Sequence, residues 1–67
     1  MDNLDAYMPI PVQEIVEMSR IELEMRLDAA ISSLDEVKQL EDILLVGYAE
    51  MNVRRLSLVL QAKGYVH

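Results

Sequence analysis

Sixty-seven residues with no cysteine, one histidine at the last position and a net charge of −6 leave few chemistries open. Disulfides and thiolate metal sites are excluded, one terminal imidazole cannot build a metal site, and the acidic balance repels nucleic-acid phosphates and anionic membranes. A domain this small buries only about 60% of its unfolded surface, so a 52% apolar composition points to oligomerisation.

The charge is unevenly spread. Residues 1–36 carry nine acids and two bases, a net of −7, whereas residues 37–67 carry three acids and four bases, a net of +1. No apolar run approaches the roughly 20 residues of a membrane span, and the first residues lack a basic signal-peptide region. A cytoplasmic protein is the expectation.

Residues 1–10, MDNLDAYMPI, show no periodicity, and Pro9 and Pro11 bar a helix through them. An extended arm is expected here, with Tyr7 and Met8 as candidate partner-contacting side chains. Pro11 suits the first position of a helix, and the apolar spacing predicts helix 1 over about 11–31. That helix has two apolar rows. Val12, Val16, Ser19, Leu23, Leu27 and Ala30 form one. Ile15, Met18, Ile21, Met25 and Ala29 form the other, diluted by Glu14 and Glu22. Glu14, Glu17, Glu22, Glu24 and Asp28 read as a solvated acidic face, since carboxylate metal bundles also place His on facing helices.

Ser33 followed by Glu36 has the spacing of a capping box and predicts a connection at Ser32–Ser33 and a second helix over about 34–63. Gly64 is then the residue that ends it, with Tyr65 and Val66 as the apolar tail of the cap. At 1.5 Å per residue, the second helix would outrun the first by roughly 15 Å. Arg54, Arg55 and Lys63 would lie near Glu14, Glu17, Asp2 and Asp5.

The stretch Leu40–Leu60 holds eleven large aliphatic or Met side chains and is apolar on two sides. Val37, Leu40, Leu44, Gly47, Tyr48, Met51, Leu58 and Ala62 make the face expected to meet helix 1. Leu45, Val46, Ala49, Val53, Leu56 and Leu60 make a second face with no expected partner inside the chain, and are the candidate self-association residues. Arg54, on the polar strip between them, is the exposed charge available to an acidic partner.

Gly47 to Val66, GYAEMNVRRLSLVLQAKGYV, resembles the second half of a winged helix-turn-helix. The resemblance implies a turn at Gly47, a buried Val53 and groove-facing Arg54 and Arg55, with Lys63 to Val66 starting a wing. It departs from the pattern at Asp42, where an apolar residue is usual, and at Ile43, where a small one is.

These observations predict an all-α protein: an antiparallel hairpin of two helices that dimerises into a four-helix bundle. The function expected is that of a small acidic regulator, adaptor or inhibitor binding another protein, without catalytic residues, cofactor or metal. Proteins of this kind occur among phage- and plasmid-encoded inhibitors. The alternatives are a DNA-binding transcription regulator built on Gly47–Val66 and a structural subunit of a larger assembly.

Overall fold

A computed structural model describes residues 8–65. Leu4, Tyr7 and the two early aspartates of the predicted arm, and Val66 of the predicted cap tail, lie outside the described residues. Within them the chain forms three helices and no strand: α1, Val12–Val16; α2, Arg20–Leu40; and α3, Ile43–Ala62.

The single long helix expected over 11–31 is interrupted. α1 begins after Pro11 and stops at Glu17, and the Ser19 hydroxyl then accepts the Glu22 N–H at 3.2 Å to start α2. Ser19 and Glu22 have the same spacing as Ser33 and Glu36, so the cap signal occurs twice and is used at the first occurrence. Two apolar rows on one helical wheel were in fact two segments out of phase. Ile15 and Met18 are buried before the break, and Leu23 after it. A straight helix would turn Met18 and Leu23 roughly 140° apart; the break lets all three enter one core.

The connection expected at Ser32–Ser33 is not there. α2 runs through both serines, whose helix propensity is only a few tenths of a kcal/mol below the better formers. The chain turns instead at Glu41–Asp42. Glu41 takes the left-handed conformation (φ 57°) that ends α2, and the Asp42 carboxylate accepts the Leu45 N–H at 3.2 Å to start α3. α2 and α3 consequently have 21 and 20 residues, about 31 and 30 Å at the usual rise, so neither outruns the other. The far end of α3 is where the sequence puts it. Gly64 (φ 80°) donates to the Gln61 carbonyl at 3.0 Å and Tyr65 to the Leu60 carbonyl at 2.8 Å. That is the paired bonding of a Schellman cap, and Tyr65 packs back on the core.

The core forms where the start of α2 meets the end of α3. Ile15, Met18, Leu23, Leu56 and Leu60 are buried together, with Leu27, Ala30, Val59 and Ile10 against them. On α2 the inward residues Leu23, Leu27, Ala30, Leu34 and Val37 recur at alternating spacings of four and three, the stripe of a helix packed along its length. α1 is held by Lys63, whose ammonium donates to the carbonyls of Val16 and Met18. Lys63, and Arg55 through a bond to the Ile10 carbonyl, spend donors on main-chain carbonyls, where the sequence suggested carboxylates. Arg20 and Glu24 form an exposed i,i+4 ion pair at 3.2 Å, and Arg20 lies 5.5 Å from the centre of the Tyr65 ring. An exposed pair of this kind adds little to stability.

Candidate functional site

Two surfaces carry features that the chain's own packing does not use. The first is the outer face of α3. The sequence reading assigned α3 its two faces the wrong way round. Ala49, Leu56 and Leu60, expected to await a second copy, are buried inside the chain, and Leu45, Val46 and Val53 are half-buried beside them. Leu44, Met51 and Leu58, expected to meet the first helix, are 68%, 39% and 56% exposed. Both faces are apolar, so hydropathy alone could not choose. The deciding signal is size and polarity: Ala49 is small and buried, and Asn52 has main-chain partners on the inner side.

Leu44, Met51 and Leu58 are seven residues apart, so they lie in one row along α3. Gly47 lies on the same side, and a Cβ built on it meets nothing within 4 Å. A helical glycine costs about 1 kcal/mol relative to alanine, and no close approach within this chain requires it. α3 continues without a break through Gly47, so the turn implied by the helix-turn-helix resemblance is missing. Gly47, Glu50, Met51 and Arg54 line a shallow depression of about 170 Å³. Arg54 is exposed there, as expected. Further apolar surface lies at the turn end of the molecule, where Leu40 and Ile43 are open to solvent, and on α2 at Ile21 and Met25.

The second surface joins α3 to the segment before α1. The Asn52 side chain is 6% exposed. Its Oδ1 accepts the Ile10 N–H at 2.8 Å and its Nδ2 donates to the Met8 carbonyl at 3.0 Å. One turn along, an Arg55 guanidinium N–H donates to the Ile10 carbonyl at 2.8 Å. A buried amide left without partners would cost one to three kcal/mol; here both ends of the Asn52 amide are satisfied. Beside Ile10 is a cleft of about 80 Å³, walled by Arg26, Ala29, Ala30, Ser33, Ala49 and Asn52. Of the partner-contacting candidates in the arm, Met8 is half-exposed and Tyr7 lies outside the described residues. Asn52 was missed in the sequence. Its signal was a polar residue in the middle of an apolar row, four residues before Leu56 and three after Ala49.

Among the described residues no group of His, Asp or Glu side chains is arranged to hold a metal ion, and no helix is long and apolar enough to cross a membrane. Glu14, Glu17, Glu22 and Asp28 are exposed. Comparisons with protein families, with characterised proteins and with solved structures returned no match.

Proposed function

We propose that this chain is a small, acidic, non-enzymatic regulator, adaptor or inhibitor that binds another protein and works as a homodimer of helical hairpins. The observation that carries the reading is the exposed row Leu44, Met51 and Leu58 on the outer face of α3, with Gly47 among them and, among the described residues, nothing within 4 Å of a Cβ built on it. Large exposed apolar side chains scattered singly are ordinary; a row in helical register is the mark of an association surface.

A second copy fits this row by its own symmetry. In an antiparallel pairing, Leu58 of one copy can lie over Gly47 of the other, where the missing Cβ leaves space for it. The same register brings Met51 beside the aliphatic stem of Arg54 and sets Glu50 within reach of the exposed Arg54 charge, so apolar and charged groups match together. Two hairpins joined in this way make an assembly of four helices with the two copies of α3 at its centre. The acidic faces of α2 remain outside for a protein partner.

Sedimentation velocity of the purified chain at tens of micromolar tests the reading. A dimer is expected for the wild type. Leu58→Glu should sediment as a monomer with its helical circular dichroism retained, because Leu58 is more than half exposed in the single chain. A wild type that stays monomeric throughout would overturn the dimer.

A further inference from the structure

The bonds made by Asn52 and Arg55 all go to main-chain atoms: the Met8 carbonyl, the Ile10 N–H and the Ile10 carbonyl. The Met8 carbonyl and both the N–H and the carbonyl of Ile10 are turned to α3. α3 therefore reads one edge of residues 8–10. Pro9 and Pro11 occupy the alternate positions, where a missing N–H deprives α3 of nothing. Recognition of this kind depends on backbone shape and on prolines at every second position, with a single side chain, that of Ile10, turned towards the core.

We propose that Asn52 and Arg55 form a receptor for an extended segment of a protein partner with the pattern X-Pro-apolar-Pro, and that the chain's own residues 8–11 occupy it as a built-in competitor. Three observations support an exchangeable occupant. The contacts described would be made by any backbone of this shape. The Met8 side chain is half-exposed, so only its carbonyl holds the segment. Among the described residues none fills the cleft beside Ile10, so a partner with a larger apolar side chain at that position would fill the groove better than Ile10 does. Arg26 and Ser33 at the cleft wall offer further donors to such a segment. The inference gives a partner class to the protein-binding reading above and rests on that reading, but it uses a different surface from the dimer row.

The tethered arm competes at an effective concentration of the order of millimolar, and this sets what the experiment should read. The probe is the nonapeptide of residues 5–13, DAYMPIPVQ, and its Ile10→Phe version, titrated into the full-length chain labelled with nitrogen-15. Both peptides should shift the backbone amide signal of the chain's own Ile10, which leaves Asn52 when the arm is displaced, the phenylalanine version at lower concentration. Ile10→Gly in the protein, which weakens the tethered arm, should tighten the apparent Kd about ten-fold or more. Asn52→Leu should remove the response while the far-ultraviolet spectrum stays helical. Should Asn52→Leu fail to fold, Arg55→Met serves in its place and should weaken peptide binding several-fold. Peptide binding that leaves the Ile10 amide signal of the chain unmoved, or an affinity indifferent to Ile10→Gly, would overturn the proposal. So would a dimer that falls apart on Ile10→Gly, because the groove would then hold the arm of a second copy. Sedimentation of the same samples reads the dimer row independently, so failure of the dimer and failure of the receptor are told apart.

Discussion

The inner and outer faces of α3 are built from similar side chains and have different fates. On the inner face, Leu56 and Leu60 are buried against Ile15, Met18 and Leu23. On the outer face, Leu58 stands between those two leucines in sequence and is more than half exposed. Hydrophobicity therefore says that α3 needs two partners, and says nothing about which is inside the chain. What separates the faces is the small and polar residues among the large ones. Ala49 and Asn52 mark the inner face, where Ala49 is buried and Asn52 bonds a segment of backbone. Gly47 marks the outer face, where no close neighbour within the chain calls for a glycine.

The largest expected contrast between the faces is in stability. Leu56→Ala removes a fully buried side chain and should cost about 2–5 kcal/mol. Leu58→Ala, measured at a low concentration where the copies are dissociated, should cost less than about 1 kcal/mol. Urea unfolding followed by circular dichroism reads both. Equal costs would mean that Leu58 is buried within the single chain and that the two faces are not distinct.

A sharper comparison uses Gly47, because its substitution should change sign with the state of association. In dilute, dissociated protein Gly47→Ala should stabilise by up to about 1 kcal/mol, since the added Cβ meets nothing and helix propensity improves. In concentrated protein it should weaken the dimer, since Leu58 of the second copy would lose its space. Thermal unfolding at two protein concentrations differing about a hundred-fold separates the effects. The same sign at both would remove Gly47 from the interface.

The two serine–glutamate pairs give the smallest and most local test. Ser19 accepts the Glu22 N–H, so Ser19→Ala should cost about 1 kcal/mol. Ser33 lies inside α2, and Ser33→Ala should change stability by only a few tenths of a kcal/mol, in the favourable direction expected of helix propensity. A reversed order would move the start of α2 to Ser33.

How much of this was legible in the sequence differs along the chain. The all-α class followed from the period of the apolar residues, and the end of α3 from Lys63-Gly64-Tyr65, where glycine is the residue that takes φ 80° without strain. The turn at Glu41–Asp42 was hidden because Glu41 is an unusual residue for a left-handed conformation. Asp42 is an ordinary helix cap lying ahead of Ile43-Leu44-Leu45, and it was read as part of a continuous helix. The break at Ser19 was written in the phase change between Met18 and Leu23, which a single long wheel averages into two faces. Choosing between the faces of α3 needed the third dimension, because the wheel is nearly symmetric in hydropathy. The Asn52 site needed it too: residues 8 and 52 meet across 44 positions of sequence, and no local spacing encodes that bond.

The central claim is that the outer row of α3 meets its own copy in an antiparallel register. A half-filtered nuclear Overhauser experiment on a mixture of carbon-13-labelled and unlabelled chains tests it most directly, because it reports only contacts between copies. The account predicts cross-peaks from the Leu58 methyl groups of one copy to the Gly47 Hα protons of the other, with Met51 in the same network. Intermolecular cross-peaks from Leu56 and Leu60 in their place, or none from α3 in a sample that sediments as a dimer, would contradict it.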